Sequence, residues 1–136
     1  MLTLPSSPTQ PNRFYLHSAT SAGLTNNDAV RLALGFDHIS IFENLDLNGI
    51  SWCSYFQEVP ATVFFRYLRR QPAIGNIHHY SRFKEDAANG TLPGYSFIDP
   101  RYFDTPKYAQ NDDHPSADVS EGQVRFLVWQ TKHKQC

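Results

Sequence analysis

Ile50-Ser51-Trp52-Cys53-Ser54-Tyr55-Phe56 is an uncharged run of β-branched and aromatic residues without proline, and it reads as a buried strand. Upstream, Ser40-Ile41-Phe42-Glu43 fits a capping box: Ser40 caps a helix while Glu43 reaches back to the Ser40 amide. Ile41, Phe42 and Leu45 then share one face, and Gly49 is placed to end the helix in the left-handed conformation. Downstream, Pro60 opens a second helix as a first-turn proline. Its ~3.6-residue period predicts that Val63, Phe64 and Tyr67 are buried and that Arg66, Arg69 and Arg70 form a solvated face. A third helix runs from about Ser81 to Asn89 and stops at Gly90, and Tyr95-Ser96-Phe97-Ile98 is a strand ended by Pro100.

Further out, Pro5, Pro8 and Pro11 make residues 1–12 an irregular lead-in. Phe14-Tyr15-Leu16 reads as a short strand, and His17-Ser18-Ala19-Thr20-Ser21-Ala22-Gly23 as a tight strand-to-helix turn. Residues 24–38 show no clean period and read as loop. A polar loop spans Asp104 to Asp118. Ser120-Glu121-Gly122-Gln123 offers another capping box, before a helix carrying Val124, Phe126, Leu127 and Val128. The order strand, helix, strand, helices, strand, helix predicts an α/β fold with a parallel sheet flanked by helices.

The chain has 136 residues, 40% of them hydrophobic and 14% aromatic. That supplies a core and argues against disorder. Twelve basic residues face 13 acidic ones, for a net charge of −1. No basic field exists to attract nucleic acid, and no polybasic segment exists to anchor the chain at a membrane surface. No run reaches the ~18 apolar residues of a membrane span, and the first residues lack the pattern of a signal peptide. Cys53, inside an aromatic stretch, reads as a buried inert thiol, and Cys136 as an exposed terminal one. Two such cysteines define neither a disulfide framework nor a metal site, and leave the compartment open.

Two groups of residues carry possible chemistry. Thr20, with Ser18 and Ser21 as rivals, lies where a strand would open into a helix. A hydroxyl there meets free amides that favour a phosphate group, although the same hydroxyls serve equally as helix caps. The second group is Asn111-Asp112-Asp113-His114-Pro115, with Asp118 beyond it. Adjacent carboxylates beside an imidazole suit metal binding or acid–base work, and also an ordinary solvated turn. His78-His79 reads as a packed or surface pair. If Thr20 and His114 each follow a strand of one parallel sheet, both belong on the same rim.

These residues carry a family resemblance. Thr9-Gln10-Pro11-Asn12-Arg13 matches a T-x-P-N-R motif, and the similarity continues through Phe14 to Ser21, Ser40-Ile41-Phe42, Gly49-Ile50-Ser51-Trp52 and Pro60 to Phe65. It runs on through Gly90-Thr91-Leu92-Pro93, Pro100 to Asp104 and Asn111 to Pro115. Over residues 9–123 the chain resembles the phosphoesterase family of phospholipases C and acid phosphatases. Residues 124–136 leave the pattern. The resemblance implies part of an alkaline-phosphatase-like fold and hydrolysis of a phosphate ester, a phospholipid or a soluble phosphomonoester, through a transiently phosphorylated hydroxyl. By position the nucleophile falls on Thr20, the leaving-group or phosphate-binding imidazole on His114, and substrate contacts on Asn12, Arg13, Asp112 and Asp113. It also implies a divalent metal. However, the E-N-R-S-F-D and D-E-x-x-G-x-x-D-H motifs that supply the family's metal ligands are absent from this sequence. The chain is therefore expected to be a fragment of that domain with little activity alone. The alternatives are a catalytically silent remnant that serves as a binding module, and an unrelated α/β domain whose Asp-Asp-His-Pro loop holds a metal.

Overall fold

The computed structural model describes residues 8–112, 118, 120 and 122–123. In chain order it contains helices α1 (Thr9–Ser18), α2 (Ala29–Leu34) and α3 (Ile41–Leu47), then strand β1 (Trp52–Phe56). Three 3₁₀ turns follow at Ala61–Phe64, Arg66–Arg69 and Ala73–Asn76, then β2 (Ile77–His79), α4 (Tyr80–Asn89) and β3 (Tyr95–Ile98). The three strands form one parallel sheet in the order β2-β1-β3. Ser54, Tyr55 and Phe56 face Ile77, His78 and His79 in register. The architecture is α/β, as the alternation predicts.

Two compact units divide the chain. The first holds the residues up to Trp52 together with Ala61–Asn76. Its core is aromatic: Phe14 packs against Phe36 and Phe65, His17 against Phe42 and Phe65, and Phe42 against Trp52. The Trp52 indole N–H donates to Asp46 at 2.7 Å, and the Tyr67 hydroxyl donates to the other oxygen of the same carboxylate at 2.8 Å. That second bond, then burial, raises the Tyr67 pKa. Asp46 thus ties α3 to the first residue of β1 and to the second 3₁₀ turn.

Several expectations hold here. The Ser40 side chain accepts from the Glu43 amide at 3.4 Å, opening α3, and Gly49 takes φ +65° just past its end. Others need correction. Phe14-Tyr15-Leu16 is not a strand; it is the middle of α1, whose buried residues are Pro11, Phe14 and His17. Proline is tolerated in the first turn of a helix, where its missing N–H has no intrahelical partner to lose. The three-residue spacing then brings these side chains onto one face. Residues 29–34, read as loop, are α2, capped by the Asp28 carboxylate on the amides of Val30 and Arg31.

The stretch from Pro60 to Arg70 is likewise not one α-helix. At Phe65 the backbone is extended, and Phe36 pairs with it in a parallel bridge, with Phe36 N–H donating to Phe64 O and Arg66 N–H to Phe36 O. The 3₁₀ turns on either side have a period of three residues. Thr62, Phe65 and Leu68 are therefore buried, while Val63, Phe64 and Tyr67 are half-buried. Arg66 and Arg69 are not merely solvated. The Arg69 guanidinium donates to the carbonyls of Leu32, Ala33 and Val63, and Arg66 donates to Leu34 O and pairs with Asp37. Together they satisfy the carbonyls that the end of α2 leaves open.

The second unit holds Cys53–Pro60 and the chain from Ile77 onward, including most of the sheet. α4 runs as expected to Asn89 and ends at Gly90 with φ +68°. Its N-terminus is capped by His79, whose Nδ1 accepts from the Ser81 amide at 3.3 Å. His78 and His79 lie in β2, a strand of three residues that carries too little pattern to be recognised in the sequence. The centre of the unit is a polar hub. Asp86 is 6% exposed and accepts from the Tyr55 hydroxyl at 2.8 Å and from Arg82 Nε at 2.8 Å. Burial raises the carboxyl pKa, but the bonds from Arg82 and Tyr55 outweigh it and the net shift is downward. Burial, then the bond to Asp86, pushes the Tyr55 phenol well up. Cys53 is half-buried and its thiol pKa is raised, first by burial, which matches an inert cysteine. The proposed final helix from Val124 to Val128 and Cys136 lie outside the described residues.

Candidate functional site

The T-x-P-N-R segment forms the first turns of α1. Pro8 precedes the helix without a side-chain cap, and the Gln10 amide donates instead to the Asn27 side chain at 3.0 Å. Asn12 and Arg13 follow, both half-buried. Arg13 acts electrostatically one turn along: burial first, and then the Arg13 charge, lower the His17 pKa to about 4. His17 is 2% exposed, so its imidazole is neutral at physiological pH.

α1 ends at Ser18, with Ala19 in the left-handed region at φ 57° and its N–H donating to Tyr15 O at 3.0 Å. Thr20 therefore follows a helix and not a strand. The premise that placed Thr20 on the rim of the sheet fails, because its position comes from the C-terminal turn of α1. The local turn nonetheless separates the three candidate hydroxyls. The Ser18 Oγ lies 2.7 Å from the Phe14 carbonyl and 3.0 Å from the Thr20 carbonyl, its hydrogen-bond acceptors. Ser21 is buried. Thr20 is exposed, and its Oγ1 accepts from the Ala22 amide at 3.1 Å. An amide pointed at the oxygen stabilises negative charge on it. Among the three, Thr20 combines access with a donor.

The other half of the candidate set lies in the second unit, after the carboxyl ends of β1 and β3. Asn111 is clamped there: its Oδ1 accepts from the Arg101 amide at 2.7 Å, and its Nδ2 donates to Gln57 at 3.3 Å. The Tyr102 amide donates to Glu58 at 3.1 Å, and the Tyr102 hydroxyl donates to Asp99 at 2.7 Å. Asp99 is fully buried and Asp112 is 6% exposed. Arg101 stacks on the Tyr108 ring at 4.8 Å and donates to Ala109 O at 2.6 Å. The Asn111-Asp112 pair is thus built into an ordered loop rather than a loose surface turn. Gln57, Glu58, Asp99 and Tyr102 did not stand out in the sequence. The available signal was a carboxylate just past two of the three strands, Glu58 after β1 and Asp99 after β3, where ligands of parallel sheets bind. Asp113 and His114 lie outside the described residues. Asp118 is exposed, with its carboxyl pKa lowered by the Ser120 amide.

The implied divalent metal can be tested against the donor set. Among the described residues no group of three or more His, Cys, Asp or Glu side chains is disposed to hold a metal ion. Those residues alone do not fit the group. Among the described residues, too, no helix is long and apolar enough to cross a membrane.

Residues 4–132 match the phosphoesterase family. Non-specific phospholipase C1 of Arabidopsis thaliana is 51% identical over 120 residues, which cover 88% of this chain and 22% of that protein. Non-specific phospholipase C6 of the same plant is 49% identical over 117 residues, covering 85% and 22%, and non-specific phospholipase C3 is 44% identical over 122 residues, covering 89% and 23%. The chain spans less than a quarter of the length of these relatives. The match takes in the T-x-P-N-R turn, the Thr20 segment and the Asn111-Asp112 loop, and with it the chain belongs to the phosphoesterase family.

Proposed function

We propose that the chain carries the nucleophile of a phosphate-ester hydrolase of the phospholipase C type. The observation that supports this most is the identity of about half the aligned residues to several non-specific phospholipases C, together with a family match over residues 4–132 that includes every candidate residue. In this reading the Thr20 hydroxyl gives its proton to a base as its oxygen attacks phosphorus, the bond from phosphorus to the ester oxygen breaks, His114 delivers a proton to the departing alcohol, and the phosphoryl group stays on Thr20 with any headgroup it carries. Water then cleaves the bond from Thr20 to phosphorus, releasing the phosphorylated headgroup of a phospholipid or the phosphate of a phosphomonoester, and restores the hydroxyl. The Ala22 amide supports charge on the Thr20 oxygen, and Arg13 and Asn12 contribute positive charge and hydrogen bonds toward the phosphoryl oxygens. Asp112 and Asp113 orient His114 or the substrate. A phospholipid is the substrate class that the relatives' names favour over a soluble phosphomonoester.

A threonine hydroxyl stays protonated at neutral pH and attacks slowly without strong electrostatic assistance. The described residues offer no metal site to supply it. The 136-residue chain alone is therefore expected to turn over neither p-nitrophenyl phosphate nor phosphatidylcholine above the buffer rate, with or without divalent cations. Metal-dependent turnover that disappears in Thr20→Ala would show that this chain builds a metal site of its own. It would then be a complete catalyst in its own right. Turnover unaffected by Thr20→Ala would remove Thr20 from the reaction.

A further inference from the structure

We propose that Asn89 is an acceptor for an N-linked oligosaccharide. The sequence contains one Asn-x-Ser/Thr triplet with a non-proline centre, Asn89-Gly90-Thr91, which is the pattern the modification requires. The structure puts that triplet where a bulky sugar is tolerated. Asn89 is the last residue of α4 and is exposed. Among the described residues no partner holds its carboxamide. Gly90 turns the chain at φ +68°, and a methyl group built there would meet nothing within 4 Å, so the space past the helix end is open. The side chains that α4 buries, Phe83 and Asp86, lie earlier on the helix. Thr91 is also exposed, and its hydroxyl reaches Asp86 only at 3.4 Å, a long contact that does not commit it.

In the reaction, the Asn89 Nδ2 bonds to the anomeric carbon of the first sugar of a lipid-pyrophosphate-linked oligosaccharide. The bond from that carbon to the pyrophosphate oxygen breaks, the lipid pyrophosphate leaves with the electron pair, and the Nδ2 proton passes to a base of the transferase. No oxidant or reductant is needed. The proposal uses none of the candidate site residues of the phosphoesterase reading and stands apart from it.

The test is translation of the full chain in the presence of eukaryotic microsomes, behind a cleavable signal peptide and ahead of a tag bearing one reference acceptor triplet. Only chains whose tag is glycosylated are scored, since those have met the transferase. The native chain should show two glycosidase-sensitive mobility shifts, Asn89→Gln and Thr91→Val one, and Thr91→Ser two. Because the transferase acts on nascent chains, a folding defect in a variant does not obscure the result. A single shift for the native chain, the same as for Asn89→Gln, would overturn the proposal.

Discussion

His17 sits 2% exposed among Phe42 and Phe65, with its pKa held to about 4 by burial and then by Arg13. The folded value lies below the ordinary 6.5, so the unfolded chain takes up the proton first. Stability is complete above that ordinary value and falls as pH drops toward the folded value, by roughly 3 kcal/mol over the whole window. The His38 pKa is also lowered, by burial, and adds in the same sense. Urea unfolding between about pH 7 and about pH 5 should show a steeper loss for the native chain than for His17→Phe; equal slopes would contradict the burial. In the second unit, Tyr55→Phe removes one donor from the buried Asp86 and should cost about 1–3 kcal/mol by denaturant titration. At this scale the sequence was partly legible. Its motifs pointed to Thr20, Ser18 and Ser21 as a group. Their different exposure depends on where α1 ends, which no motif states.

Elements with strong local chemistry were the ones readable in advance. The Ser40 cap, Gly49, the aromatic run of β1, the Gly90 stop and Tyr95–Ile98 each carry their own signal, and each stands where it was expected. Ser40→Ala should lower stability by about 1 kcal/mol through loss of the cap on α3, as measured by the thermal midpoint. Elements decided by distant partners were not readable. A single helix over residues 60–70 was the natural reading of Val63, Phe64, Tyr67 and Leu68. The bridge from Phe36 to Phe65 breaks it, and nothing local announces that bridge. The same holds for Arg66 and Arg69, whose spacing describes a solvated face while their guanidinium groups close the end of α2. Arg69→Ala should cost about 1 kcal/mol, since solvent replaces part of what an exposed guanidinium supplies. Amide exchange should quicken across α2 and leave the second unit unchanged. Gly35→Ala should act in the same direction: φ is +78°, and the added Cβ would fall 2.7 Å from the Arg69 guanidinium.

At the scale of the whole chain, the two candidate groups belong to different compact units: the α1 turn with Thr20 to the first, and the Asn111-Asp112 loop to the second. The family identity was legible because it rests on ordered blocks of sequence, from Thr9 to Pro115, that survive regardless of how each is folded. The geometry of the candidate site was not legible, because it depends on how a helix end presents Thr20, and within that helix the local pattern of Phe14-Tyr15-Leu16 reads as a strand. The central claim is that Thr20 is the nucleophile. Its most direct test is a chimera in which this chain replaces the matching segment of non-specific phospholipase C1, assayed for phosphatidylcholine hydrolysis with and without Thr20→Ala. The chimera should be active, and Thr20→Ala should reduce its turnover by about a thousandfold or more. An active chimera that keeps its turnover after Thr20→Ala would contradict the account.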